Sequence, residues 1–178
     1  MEAGLADLLG STGVFGMSAI LGGSGRDLVH RAVNIRREAI ELGDRRVLFG
    51  QRRMNARFST GDRVPNWMRG RSIADVAADL RSGRRSANDI QITVFEHNGQ
   101  LVSMNTRGLA ALSEAGLRPT NVVRHSGPIP RDIRDRLDEP PLVGGPLPSR
   151  SSIVTVGRNN PTPIMRPGTN EPWIIVVP

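Results

Sequence analysis

Residues 90–116, IQITVFEHNGQLVSMNTRGLAALSEAG, decide how the rest of the chain is read. Ile90, Ile92 and Val94 alternate with Gln91, Thr93 and Phe95, the period of a half-buried strand. Asn98-Gly99 follows, and an Asn-Gly pair between apolar runs is the strongest short hairpin signal, because a type I′ turn requires positive φ at both positions. Leu101 and Val102 restart an extended run, so a two-stranded ribbon is expected. Asn105 then stands where a helix N-cap would accept hydrogen bonds from the first free N–H groups; Leu109, Ala110 and Leu112 face inward, and Gly116 closes the helix in a left-handed conformation. Arg107 falls in the first turn. A cation is unfavourable at that end of the helix dipole, so a guanidinium beside exposed N–H groups makes sense where an anion such as a phosphate is shared between them.

Working outward, Ser72 with Asp75 three residues on is a helix N-cap signature, and Ile73, Val76, Ala77 and Leu80 give that helix a buried stripe up to Gly83. Residues 86–89 read as a turn, residues 46–51 as a short buried strand, and residues 119–123 as another. Residues 26–42 place Leu28, Ala32, Ile35, Ala39 and Leu42 at helical spacing, which predicts a helix stopped by Gly43. The six arginines and sparse apolar anchors of residues 52–71 predict a long loop, and long loops inside a compact domain are usually functional. Residues 131–137 read as a polar helix. The proline- and glycine-rich residues 138–149 cannot hold regular structure. The β-branched runs 153–156 and 173–177 are expected to pair as a closing ribbon. The domain plan is therefore a flexible lead-in over 1–25, a basic domain over 26–137, a linker over 138–149, and a C-terminal ribbon over 150–178 packed on the domain. The expected fold class is α+β, a small mixed β-sheet flanked by three to four helices.

Composition narrows the chemistry. The chain has 178 residues and net charge +7, and its 24 basic residues are all arginine. With no cysteine, disulfides, zinc-thiolate sites and thiol catalysis are excluded. The basic excess is local: residues 26–85 hold 15 arginines against 7 acids, residues 86–178 only 9 against 8. A segment of that kind is a footprint for phosphate backbones, and binding through it weakens steeply with salt. Residues 3–25 are apolar but broken by Asp7 and repeated Gly and Ser, so they lack the roughly 20 predominantly apolar residues of a spanning helix. No membrane-spanning segment is predicted.

The run 90–123 resembles the ParB/sulfiredoxin-like superfamily, in which strand, tight turn and strand lead to a phosphate- or nucleotide-facing arginine at a helix start. The residues that carry the resemblance are Val94-Phe95, Asn98-Gly99, Leu101 to Ser103, Asn105-Thr106-Arg107, Leu109-Ala110-Ala111, Ala115-Gly116, Pro119 and Val122-Val123. The ParB pattern Gly-Glu-Arg-Arg is replaced by Asn105-Thr106-Arg107-Gly108, which makes this corner less a CTP switch than a phosphate-binding corner. The missing cysteine excludes sulfiredoxin-type reduction. The wider layout, a glycine-rich lead-in, a basic helix, VLFGQRR at 47–53, the ParB-like run and a final strand, looks like the C-terminal toxin domain of a bacterial polymorphic toxin of the Rhs kind. That resemblance implies a secreted effector, acting in the cytoplasm of a target bacterium and neutralised by a cognate immunity protein.

Phosphodiester cleavage needs a group that orients or deprotonates water and cationic donors for the transition state. Glu96 or His97 at the hairpin turn is the candidate for the first and Arg107 for the second, with the return strand expected to bring Asn105 and Arg107 close to the turn. Gln51, Arg52, Arg53, Arg57, Asn98, Asn105, Thr106, Arg124 and His125 are the candidate phosphate-binding residues. No dedicated metal site is predicted; a Mg²⁺ would have Glu96 with backbone or water ligands, since no acidic or histidine cluster has metal spacing. The leading expectation is a nuclease acting on DNA. The alternatives are a nucleotide-dependent transferase, for which Arg46, Ser59-Thr60 and Glu171 loosely match an ADP-ribosyltransferase arrangement, and a non-catalytic DNA-binding module.

Overall fold

The computed structural model describes residues 38–137, 139, 152–157 and 163–178. Along the chain these form β1 (Glu38–Ala39), β2 (Val47–Phe49), β3 (Arg53–Met54), α1 (Ile73–Arg81), a 3-10 turn at Ala87–Asp89, β4 (Ile92–His97), β5 (Gln100–Ser103), α2 (Thr106–Glu114), β6 (Val122–Arg124), α3 (Arg131–Arg136), β7 (Ile153–Val156) and β8 (Ile174–Val176). The class is mixed α and β with a small mixed sheet, as expected. All these elements belong to the unit Asn34–Pro178.

The ribbon forms as the sequence predicts. β4 and β5 pair antiparallel up to His97 opposite Gln100, and the two residues between them, Asn98 at φ 50° and Gly99 at φ 73°, adopt the positive φ values of a primed turn. β2 lies parallel beside β5 and β6 parallel beside β4. β1 adds antiparallel to β6, giving the order β1-β6-β4-β5-β2. A second sheet, β3-β7-β8, contains the expected closing ribbon and recruits β3 parallel to β7 from within the segment read as loop.

The helix expected over 26–42 is corrected at its C-terminal end, where Glu38 and Ala39 are strand; its residues 26–37 lie outside the described residues. The exposed edge of β6 decides this, because Ile40 donates to the Val122 carbonyl at 3.0 Å and the strand fills an otherwise open edge. Spacing alone is a weak prior against such pairing. The linker over 138–149 and the lead-in over 1–25 also lie outside the described residues, Glu139 excepted.

Alternation along the strands gives the first sheet two covered faces. Ile92, Val94, Leu101, Val47 and Phe49 join Ile73, Val76 and Leu80 of α1 and Leu109 and Leu112 of α2 in one core, which continues into Val154, Val156, Trp173 and Ile175 of the second sheet. The other face carries Phe95 and Val102, packed against Leu137, Ile133 and Ile129 around α3. So the helix read as merely polar buries its apolar side on the ribbon. Helix ends follow local chemistry. Ser72 and Asp75 form a reciprocal capping box on α1, and α2 closes in a Schellman motif, with Leu117 N–H on the Leu112 carbonyl and Gly116 N–H on Ser113, both at 2.9 Å.

The arginines of residues 57–71 hold their own loop. Arg57 donates to the Gly70 carbonyl at 3.0 Å, Arg69 to Val64 at 2.8 Å, and Arg71 to Trp67 at 3.1 Å and to the Asp79 carboxylate at 2.7 Å. Arg85 lies over the Trp67 ring, 4.9 Å from its centroid. Guanidinium groups suit this role because their fixed fork satisfies several carbonyls at once.

Two outcomes follow. A Cβ on Gly50 would fall 2.2 Å from the Ser103 carbonyl oxygen where β2 runs beside β5; Gly50→Ala is expected to lower stability by about 3 kcal/mol, read as a fall in Tm. Hydrogen bonding from Ser72 holds the Asp75 carboxyl below its ordinary 3.8, with the charges of Arg71 and Arg57 adding. The Arg71 hydrogen bond does the same for Asp79, helped by the charges of Arg71, Arg84 and Arg85. Carboxyls lowered by folding stabilise the fold above their unfolded value and lose that contribution as pH falls through the lower folded one. Tm should therefore drop below about pH 4, and less steeply in Arg71→Ala, in melts followed by circular dichroism.

Candidate functional site

The site is built on the junction between β5 and α2. The last backbone rung of the ribbon is Met104 N–H on the Thr93 carbonyl at 2.8 Å. Beyond it the Asn105 side chain continues the ladder: its Oδ1 accepts from Thr93 N–H at 2.9 Å and its Nδ2 donates to the Gln91 carbonyl at 2.7 Å. Asn105 occupies the N-cap position, but its amide makes no cap hydrogen bond to the helix. This corrects the expected capping role, and the reason is proximity to the start of β4, whose backbone outcompetes the helix for both ends of the amide. Gly108 then brings α2 down onto Ile90 and Ile92, whose side chains would stand 3.1 and 3.3 Å from an added Cβ.

The first turn of α2 lines a cleft of about 1030 Å³. Asn105, Thr106 and Arg107 form one wall, Gln51 after β2 and Thr93 of β4 the floor, Phe58, Arg63 and Met68 a second wall, and His125, Asp132 and Arg136 the third. Arg107 is half-buried and donates to the Arg57 carbonyl at 2.8 Å. Burial, then the nearby charge of Arg136, lowers its pKa. Among the described residues no carboxylate pairs with it; a partly desolvated cation in that state favours an incoming anion. His125 follows β6, anchored by its N–H on the Val94 carbonyl at 2.8 Å, and its ring Nε2 lies 3.1 Å from the Pro128 carbonyl. A carbonyl only accepts, so Nε2 carries the proton in that contact and Nδ1 of the neutral ring is left as an acceptor.

Of the residues expected from the sequence, Gln51, Asn105, Thr106, Arg107 and His125 line this cleft. Arg53 lines a smaller adjoining pocket and is ion-paired with Glu139. Arg57 reaches the site through its backbone carbonyl, its side chain being bonded to Gly70. Arg52 is only 8% exposed and sits at a strand junction, where its carbonyl accepts from Thr155 N–H and Oγ1, so it is no surface phosphate clamp.

The hairpin tip is not brought to Arg107. The register places Ser103 opposite Val94 and His97 opposite Gln100, so the return strand carries the chain back to the base of the ribbon, about 13 Å from the tip at 3.3 Å per residue. Glu96 pairs with Arg124 at 3.4 Å, His97 stacks edge-on against Phe95 with centroids 6.4 Å apart, and Asn98 is the turn itself. None of the four lines the cleft. Of the transferase arrangement, Ser59 lines it while Arg46 and Glu171 do not.

Sequence reasoning missed Asp132 and Arg136, while Arg63 belongs to the arginines of residues 45–85 expected to hold phosphates. The four-residue spacing of Ile133 and Leu137 was the available signal for α3, since it fixes which side of RDIRDRL is buried. Among the described residues no three His, Cys, Asp or Glu group as a metal site, and no helix is long and apolar enough to cross a membrane.

Asn105→Ala removes two hydrogen bonds at once and leaves the Thr93 N–H without its acceptor. A loss of about 2 to 3 kcal/mol is expected, with faster hydrogen exchange at the Thr93 amide; Asn105→Asp, which sets a carboxylate oxygen against the Gln91 carbonyl, should lose at least as much. No family model, curated protein or solved structure matches the chain.

Proposed function

We propose that this chain is the toxin domain of a polymorphic, Rhs-type effector, a nuclease that cuts DNA phosphodiesters in the cleft at the start of α2. The observation that carries the reading is Arg107, half-buried, without a carboxylate partner among the described residues, in the first turn of a helix whose N-terminus lines the cleft. Helix N-terminus and guanidinium together favour a phosphate and the charge that develops on it in the transition state. Strand, tight turn, strand, helix and parallel strand, in that order, support a ParB/sulfiredoxin-like fold for the scaffold. The arginine excess of the chain supports nucleic acid as the ligand.

His125 takes the role of base expected from the sequence for Glu96 or His97. Its Nδ1 accepts a proton from water as the water oxygen bonds to phosphorus; the bond from phosphorus to the leaving sugar oxygen breaks, and that oxygen takes a proton from solvent. Arg107 stabilises the phosphorane-like charge and Gln51 and Arg63 help to hold the strand. The reading carries with it action in the cytoplasm of a target bacterium and a cognate immunity protein.

Incubation of the purified chain with supercoiled plasmid and with single-stranded circular DNA, with and without Mg²⁺, tests it. Loss of intact DNA is expected, slowed about 100-fold by Arg107→Ala and at least as much by His125→Ala, with both variants still folded by circular dichroism. Expression of the wild type should arrest bacterial growth and Arg107→Ala should relieve it. Intact DNA in every arm would sink the nuclease, and a loss in Glu96→Gln as deep as in Arg107→Ala would return catalysis to the hairpin tip.

A further inference from the structure

Beside the cleft lies a second, smaller pocket of about 320 Å³. It shares Gln51, Arg107 and Arg136 with the cleft, and its remaining walls come from Arg53 and Asn55 around β3 and from Glu139 beyond α3. The two cavities therefore adjoin across one wall that contains two guanidinium groups.

Their linings differ in kind. The cleft offers apolar surface from half-buried Val64, Met104 and Ile133, backed by buried Phe58, Met68 and Ile90. The pocket has one apolar residue, Met54, itself buried, so nothing there suits a base or a sugar. Its charge is strongly positive. Among the described residues Glu139 is the one acid on its walls, and it is ion-paired with Arg53. Arg136 meets Asp132 at 3.5 Å, but both side chains are at least half exposed, at 50% and 63%, and water screens such a pair. Arg107 has no acid partner among the described residues; Arg136 lines both cavities with it, and the charge of Arg136 adds to burial in lowering the Arg107 pKa. Two neighbouring cations in a polar pocket are stable together when an anion lies between them.

We infer that the smaller pocket is a second phosphate subsite, so that the protein grips two neighbouring phosphates of a single nucleic-acid strand, one at the start of α2 and the next between Arg107 and Arg136. This rests on the proposed reading only in taking nucleic acid as the ligand. A mononucleotide would fill one subsite and leave the other empty. A single strand is favoured over a duplex because a base laid against the apolar wall of the cleft must be unstacked, which a single strand offers without unpairing. Arg136, on α3, is then a binding residue, and Glu139 restrains the pocket by neutralising Arg53.

The test is binding in a His125→Ala background, which keeps the strand intact, by fluorescence anisotropy of a labelled single-stranded DNA oligonucleotide across a salt series. Arg136→Ala is expected to weaken binding about tenfold and to flatten the plot of log K against log salt by about 0.7, the contribution of one single-strand phosphate. Glu139→Gln should tighten binding by freeing Arg53, and Arg134→Ala, whose guanidinium reaches the Ile129 carbonyl on α3's other side, should change neither. An unchanged slope in Arg136→Ala, weaker binding in Glu139→Gln, or a nucleoside monophosphate bound as tightly as the oligonucleotide would overturn the second subsite. DNA left intact by the wild type while these shifts occur removes the nuclease and keeps the subsite; DNA cut by the wild type with no change in slope does the reverse.

Discussion

The amide of Asn105 is the joint on which this structure turns. It takes over where the ribbon runs out of backbone rungs, accepting from Thr93 and donating to Gln91, and so fixes α2 to the base of β4. A helix that begins there must lie across Ile90 and Ile92, which is why residue 108 is a glycine in close contact with both. The same joint places Arg107 in the cleft wall. A buried hydrogen bond contributes only about 1 kcal/mol net, but an unmade one at this position would leave strand backbone unpaired beside the core.

From that joint the core spreads in two directions. Toward one side α1 and α2 cover the first sheet and reach the second, where Glu114 of α2 accepts from Arg166 at 2.8 Å and from the Trp173 indole at 3.2 Å. A carboxylate only 11% exposed is tolerable there because both oxygens are occupied by donors. Toward the other side α3 lays Ile133 and Leu137 on Phe95 and Val102. The cleft opens where α3, the arginine-stapled loop and the start of α2 meet without closing.

The arginines separate into two populations with different physics. Arg57, Arg69 and Arg71 have their guanidinium groups tied to carbonyls and acids of their own segment, which makes the loop firm and takes them out of competition for ligand. Arg107, Arg136 and Arg63 line the cleft instead. Net charge along the chain therefore overstates how much of the basic segment is available to phosphate, and the sharper guide is which guanidinium groups line a cavity and which staple their own segment.

Much of the local architecture was legible in the sequence alone. Asn98-Gly99, the alternation of β4, the Ser72–Asp75 capping box and the Gly116 stop all specify backbone geometry within four or five residues, and steric preference over so short a span survives any tertiary setting. Arg107, Gln51 and His125 were also visible as site candidates, because strand ends and helix starts are where a sheet exposes functional groups. Tertiary structure alone decided the rest. Glu38 and Ala39 became strand because β6 had an open edge, Asn105 turned from its helix to β4, and Glu96 and His97 were carried to the far end of the ribbon by the register. Arg136 entered the site because α3 packs its apolar side on Phe95 and Val102. For β1, Asn105 and Arg136 the deciding partner lies a dozen or more residues away, and a hydrogen bond or contact made at that distance depends on where the chain returns, which local sequence does not encode.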